Sequence, residues 1–169
     1  PVNLVSFCAL SVNGNVTAKC IASRPRQRPM DFGNATTFAQ TIECEQVEMY
    51  SKEILALLNY NGICEIEFKK DLISNDYKLL EINPRTWKWH RLAIDAGVDF
   101  PHLLYKHKYT RSGEVDYKRG VKWAHLAVDF FVSLSEIIKQ KMTFSDYAKS
   151  MRGVSSFAVY DNKDNLPFL

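Results

Sequence analysis

Glu67, Glu81, Asn83 and Arg85 are the residues whose types and spacing best suit chemistry. Glu67-Phe68 is followed by a seven-residue connection from Lys70 to Asp76, and then by Glu81-Ile82-Asn83-Pro84-Arg85. Two carboxylates and an amide oxygen are hard donors of the kind Mg²⁺ takes. That ion usually binds one or two carboxylates and completes its shell with phosphate oxygens and water. A guanidinium presents a planar fork to phosphate or carboxylate, and Pro84 stiffens the chain just before Arg85. The set suits Mg²⁺ and a polyphosphate, provided that it converges.

Convergence depends on a β-hairpin. Ile63 to Lys69 and Tyr77 to Ile82 are apolar or alternating and read as its two strands. Opposed residues of an antiparallel pair have a constant sum of positions. If that sum is 148, Glu67 faces Glu81; if it is 146, Glu67 faces Leu79 and Glu81 is the diagonal neighbour. Period two puts Glu65 on the face of Glu67, and Glu81 on the face of Asn83. Two bare carboxylates about 5 Å apart repel by a few tenths to about 1 kcal/mol, and a divalent cation between them reverses the sign. The alternative is a hairpin with an acidic outer face balanced by Lys69, Lys70 and Lys78.

The rest of the chain reads as elements able to hold that hairpin. Leu4 to Ser11 and Val16 to Ser23 are strands joined by Asn13-Gly14, a pair suited to the positive φ angles of a type I′ turn. Arg24 to Pro29 (RPRQRP) must be extended, because each proline disfavours helix before it. Ala35 to Ile42 is a short strand, and a helix runs from Glu45 to Leu58. Trp87 to Ala96 is expected to be helical and to stop at Gly97 in the left-handed C′ position. Asp99 caps a second short helix with Pro101 in its first turn. Thr110 to Gly120 is a polar loop, and Val121 to Ala127 reads as a strand or the start of a helix. A helix over Leu126 to Gln140 carries an apolar stripe of Phe130, Leu134, Ile137 and Ile138. Thr143 and Asp146 resemble a capping box opening a last helix that stops before Gly153. Ser155 to Tyr160 is a final strand, followed by a polar tail from Asp161 that ends near Pro167-Phe168. Trp123 and the Phe130–Phe131 pair are assigned to the core. The sum is one α+β domain, an antiparallel sheet covered by helices.

Bulk properties exclude several function classes. The 169 residues are 46% apolar and 24% charged with a net charge of +3, too weakly basic to argue for nucleic acid. No apolar run approaches a membrane span, and no secretory signal pattern is present. The spacing of Cys8, Cys20, Cys44 and Cys64 matches no zinc motif, so they are expected to be reduced thiols of a cytoplasmic protein. His102, His107 and His125 have no ligand spacing and are read as structural. Lys88 and Arg91 are read as a solvated helix face.

At Gly62-Ile63-Cys64-Glu65-Ile66-Glu67-Phe68 and Leu80-Glu81-Ile82-Asn83-Pro84-Arg85 the chain resembles the C-terminal half of an ATP-grasp domain. Ala93 to Pro101 (AIDAGVDFP) resembles the segment that follows in carbamoyl-phosphate synthetase-like and related carboxylate–amine ligases. The Asn13-Gly14 hairpin, the arginine-rich strand and Gly33-Asn34-Ala35-Thr36 resemble the segment that precedes it, so the likeness covers about Leu4 to Leu104. It implies ATP and Mg²⁺ as cofactors, with small-molecule carboxylate and amine substrates joined through an acyl phosphate. Glu67, Glu81 and Asn83 would be the metal ligands, and Arg85 the catalytic contact to the transferred phosphate or acyl phosphate. Arg24, Arg26 and Arg28, on one face of an extended segment, would bind the γ-phosphate or carboxylate; a solvated edge strand is the alternative. The family's nucleotide-binding lysines, lid and hinge lie upstream of the equivalent of Pro1, so residues 1–169 are expected to form the C-terminal part of a longer ATP-grasp protein.

One departure concerns the stretch after Arg85. Biotin carboxylase-type members carry Val-Glu-His there, with the glutamate as base. This chain has Trp87-Lys88-Trp89-His90, so that base is missing and the two tryptophans imply a larger or flatter acceptor. His90 is read as an acid/base or acceptor contact, or as structural. The rival to a ligase is a degenerate, non-catalytic half serving binding or oligomerisation, and a homo-oligomer is left open.

Overall fold

The computed structural model describes residues 3–30, 35–107 and 115–161. Gly33-Asn34, Thr110 to Glu114 of the polar loop and the tail beyond Asp161 lie outside the described residues. The strands are β1 (Leu4–Val12), β2 (Asn15–Arg28), β3 (Ala35–Thr41), β4 (Gly62–Lys70), β5 (Tyr77–Asn83), β6 (Lys122–Ala124) and β7 (Val154–Phe157). Among the described residues they form one sheet in the order β5-β4-β1-β2-β3-β6-β7. Every pairing is antiparallel except that of β6 with β7. The helices are α1 (Glu45–Leu57), α2 (Arg91–Asp95), α3 (Phe100–His107), α4 (Leu126–Ile138) and α5 (Phe144–Met151). No described helix is long and apolar enough to cross a membrane.

Local chemistry explains the central hairpin. Asn13 and Gly14 both have positive φ, 49° and 75°, as a type I′ turn requires. Gly14 is doubly constrained, since a Cβ there would lie 2.9 Å from the Ala56 Cα. The turn thus seats the β1–β2 hairpin against the end of α1.

Registry then divides the sheet into two faces. Phe7 pairs with Ile21 and Ile66, and Val5 with Phe68. The Tyr50–Phe68 ring contact and the Lys19–Glu48 ion pair place α1 on this face. Residues one step away, including Ser6, Cys8, Cys20, Glu65 and Glu67, occupy the other face. All four cysteines are free thiols, with Cys8, Cys20 and Cys64 buried.

Two helical expectations are corrected. Helix is confined to Arg91–Asp95 rather than spanning Trp87 to Ala96. Trp87 and Trp89 are both buried, with ring centroids 5.5 Å apart. Residues two apart on a helix point away from each other, so burying both requires the non-helical backbone seen here. Gly97 does follow this short helix with φ 103°, and the Asp99 side chain accepts from the His102 amide at 3.0 Å.

The second correction concerns α4. Its buried residues are Asp129, Ser133 and Glu136, while Phe130, Phe131, Leu134 and Ile138 are exposed. Phe130 and Phe131 are therefore not core, although Trp123 is. The cause is an ion pair. Asp129 accepts from Arg26 Nε at 2.8 Å and Nη2 at 2.7 Å, and from Thr37 Oγ1 at 2.8 Å. Arg26 also donates to Ser150 Oγ at 2.8 Å and lies over the Phe38 ring. This knot joins β2, β3, α4 and α5 and fixes which side of α4 faces the sheet.

Removing one partner of a buried ion pair leaves the other charge uncompensated. Asp129→Ala is expected to lower the unfolding free energy by about 3–5 kcal/mol, read by urea denaturation. The double variant Arg26→Met/Asp129→Leu should recover a large part of that loss.

Candidate metal and phosphate site

The β4–β5 ladder brings the acidic residues together. Glu67 pairs with Glu81 and Glu65 with Asn83, while nearer the connection Phe68 pairs with Leu79 and Lys69 with Lys78. A register shift between Glu67 and Phe68 absorbs the difference, leaving Leu80 as the extra residue of a β-bulge. Bulges re-aim side chains where a strand pair changes register; this one sets the carboxylates opposite each other.

Burial grades across the site. Glu65 is 3% exposed, the Glu67 side chain 13%, and Glu81 and Arg85 are open to solvent. Arg24, itself 5% exposed, is the counter-ion. Its Nη1 donates to Glu67 Oε1 at 3.1 Å and its Nη2 to Glu67 Oε2. Nη1 also lies 3.6 Å from Glu65 Oε1 and 3.4 Å from Thr36 Oγ1. Asn83 bridges the pair: Nδ2 donates to Glu81 Oε1 at 2.8 Å and to Glu67 Oε1 at 3.3 Å. Its Oδ1 accepts from Arg85 Nη2 at 3.2 Å.

Of the three arginines on β2, only Arg24 reaches the carboxylates. Arg26 is taken up by Asp129, and Arg28 is exposed at the end of the strand. Register shifts on either side of Arg26 interrupt the alternation that would keep all three on one face. The tryptophans are corrected as well. Trp87 and Trp89 are 3% and 1% exposed and pack in the core with Phe100, so they offer no flat acceptor surface. His90 is half-buried, with Nδ1 3.1 Å from the Trp87 carbonyl. Arg91 is paired with Asp95 and Asp161.

Two participants lack a sequence signal of their own. Thr36 approaches Arg24 from β3. Glu65 is a third carboxylate; period two places it on the right face but does not reveal that it is buried. Its Oε1 has no hydrogen-bond partner, nor has the Arg24 Nε. Burial is the main force raising the Glu65 pKa from 4.5 to about 7, opposed chiefly by Arg24 and reinforced by Glu67.

The donor set fits Mg²⁺ as a partial shell. Glu67 and Glu81 supply oxygens, as that ion requires; Asn83 turns Nδ2 to both carboxylates and Oδ1 to Arg85, so its oxygen joins the set only when the amide turns over. Each carboxylate oxygen has more than one lone pair, so the Arg24 contacts leave acceptor capacity on Glu67. Among the described residues no group of three or more His, Cys, Asp or Glu forms a complete metal cage. The remaining ligands would have to come from phosphate and water.

No protein-family model and no curated protein sequence matches this chain. Solved structures do. Rhizobium etli pyruvate carboxylase T882A, with the allosteric activator acetyl coenzyme-A, superposes on 70% of this chain and 13% of its own, with a TM-score of 0.56 and 19% identity. The biotin carboxylase domain of a thermophilic 2-oxoglutarate carboxylase, bound to bicarbonate, matches 70% of this chain and 28% of its own at a TM-score of 0.54 and 17% identity. A Campylobacter jejuni biotin carboxylase–βγ-ATP complex gives 0.52 and 18% over the same shares. The chain thus has an ATP-grasp-like fold and spans well under a third of each of these chains.

The Glu65 pKa gives a signed prediction. Between pH 4.5 and about 7 the native state keeps a proton that the unfolded chain has released. Stability from neutral Glu65 is therefore complete below pH 4.5 and lost as pH rises through about 7. The shift corresponds to at most about 3 kcal/mol. Glu65→Gln should remove this loss, so that the variant gains on wild type between pH 4.5 and 8 in thermal unfolding scans. Parallel wild-type and variant pH profiles would show that Glu65 titrates normally.

Proposed function

We propose that this chain forms the metal and phosphate floor of an ATP- and Mg²⁺-dependent carboxylate–amine ligase acting through an acyl phosphate. The observation that carries the reading is the direct opposition of Glu67 and Glu81, with Asn83 between them and Arg85 beside Asn83. The ATP-grasp-like fold supports it. On this reading residues 1–169 are the C-terminal part of the ATP-grasp unit, and sequence outside them contributes the adenine side of the site.

Each residue then has a task. Glu67 and Glu81, joined by the Asn83 oxygen once its amide turns over, would hold Mg²⁺, which would supply charge neutralisation to the transferring phosphoryl group. Arg24 aims the Glu67 carboxylate through its two Nη contacts, acting through that side chain. Arg85 is solvent-exposed and bonded to the Asn83 amide oxygen and the Thr86 carbonyl. Its planar fork suits the phosphoryl group or the acyl phosphate. An amine would then displace phosphate from the activated acid. No carboxylate stands where a Val-Glu-His glutamate would, so the amine must bring or find its base elsewhere.

Loss of a preorganised charge partner removes about 3 kcal/mol or more of transition-state stabilisation. Glu81→Ala in the full-length protein is expected to lower ADP formation at least about 100-fold without loss of folding, read by a coupled ADP assay. An unchanged rate would overturn the metal assignment. Binding of Mg²⁺-ATP to the wild-type protein without ADP release, across many acids and amines, would favour the non-catalytic module.

A further inference from the structure

The knot around Asp129 leaves α4 inverted. Its two charged residues, Asp129 and Glu136, are turned to the protein, and its exposed positions are Ala127, Phe130, Phe131, Leu134 and Ile138. That outward face carries no charge for about three turns. An ordinary surface helix has the opposite arrangement, with its apolar stripe on the core. Phe131 is 67% and Ile138 74% exposed, with Phe130 at 48% and Leu134 at 41%. The Phe130 and Phe131 rings meet edge to face with centroids 5.6 Å apart. Leu134 and Ile138 follow Phe130 at successive steps of four, so the four side chains form one continuous patch.

At roughly 200 Å² per large side chain, the patch amounts to about 450 Å² on one chain and about 900 Å² in a symmetric pair. Four side chains thus supply more than half of a standard interface of about 1,600 Å². A symmetric pair presents the same surface from both sides, with residue i on j and j on i. Two antiparallel copies of α4 crossing at Leu134 set Phe130 of each against Ile138 of the other. The uncharged stretch brings no like charges together, and the two Lys139 side chains fall at opposite ends of the pair.

The place of the patch in the fold separates it from the metal floor. α4 packs on β2 and β3, with Asp129, Ser133 and Glu136 turned to the protein and the patch turned away. The outer ligands of the floor are on β5, three and four strands across the sheet from β2 and β3, or about 15–20 Å at the usual strand spacing. A surface closing over Glu81 and Arg85 need not reach the patch, and a partner on α4 leaves the floor open. α4 also lies beyond the Leu4 to Leu104 stretch that resembles ATP-grasp sequences.

We propose that the outward face of α4 is a homodimer interface, in which two copies of this chain pack antiparallel through Phe130, Phe131, Leu134 and Ile138. The pairing is independent of the ligase reading and needs neither ATP nor metal.

The test is sedimentation velocity of the full-length protein from about 1 to 200 μM, a range suited to an interface below standard size. The mass should rise from monomer to dimer across it. Phe131→Glu, which sets a carboxylate in the dry centre of the patch, should raise the dimer dissociation constant at least about tenfold. Leu57→Glu, at a position on α1 that is 87% exposed, should leave it unchanged. Leu134→Cys should form an intermolecular disulfide on mild oxidation, because that position meets its own copy at the crossing. Ala127→Cys should not, since the two copies of that position lie about 20 Å apart along the helices. A monomer at every concentration overturns the interface, whether the protein sediments instead with anionic phosphatidylserine vesicles or Phe131→Glu unfolds the dilute monomer, the sign of a cover within its own chain. A dimer that Phe131→Glu leaves intact, or one in which Ala127→Cys cross-links as readily as Leu134→Cys, overturns the antiparallel pairing through α4.

Discussion

The Arg24 guanidinium is the interaction on which the acidic face of the sheet depends. Three carboxylates, Glu65, Glu67 and Glu81, project from two neighbouring strands, and the innermost is almost wholly buried. Without a cation, such an array would have to protonate or repel itself apart. Arg24 meets Glu67 through both Nη nitrogens and stands close to Glu65. Glu81, facing solvent, is left to an amide donor. The site is thus compensated on its inner side and electron-rich on its outer side, the side on which a cation and phosphate would arrive. Arg24 serves that arrangement from behind, without needing to touch a nucleotide.

The second buried guanidinium does mechanical work. Arg26 sits two residues from Arg24, yet its partner is Asp129 on α4, 103 residues away in sequence. Bulges around Arg26 let neighbouring positions of one strand serve two different ion pairs. Because Asp129 must reach Arg26 and Thr37, α4 presents Asp129, Ser133 and Glu136 to the protein and turns Phe130, Phe131, Leu134 and Ile138 outward. One polar contact has overruled the hydrophobic stripe of a whole helix. A buried bidentate pair with further hydrogen bonds is costly to break once formed.

What the sequence made legible was local. The Asn13-Gly14 turn, the capping residues Asp99 and Thr143, the strand pattern and the opposition of Glu67 to Glu81 all follow from nearby residues and period-two geometry. What was not legible depends on partners distant in sequence. Nothing near Arg26 points to Asp129, so three arginines at alternate positions looked equivalent. The tryptophans at Trp87 and Trp89 resembled a substrate platform because what buries them is tertiary: they pack on each other, and Phe100 at the start of α3 packs on Trp87. Glu65 shares the face of Glu67 by spacing, but only the assembled sheet shows that it is buried, with an oxygen that has no hydrogen-bond partner.

The grading of burial across the floor also limits what this surface can do alone. Small-molecule sites typically bury most of their ligand. Here the outer ligand-bearing strand, β5, is the sheet edge among the described residues, and Glu81 and Arg85 are exposed. The floor therefore shields a phosphate chain from one side only, through β4, β1 and Arg24. Exposed carboxylates hold a hydrated cation weakly, because water competes at high dielectric. Tight metal–phosphate binding at Glu67 and Glu81 requires a second surface to exclude that water. Until such a surface closes, the inner Arg24–Glu67 pair keeps the floor in shape, and the outer residues remain a preorganised but open set of ligands.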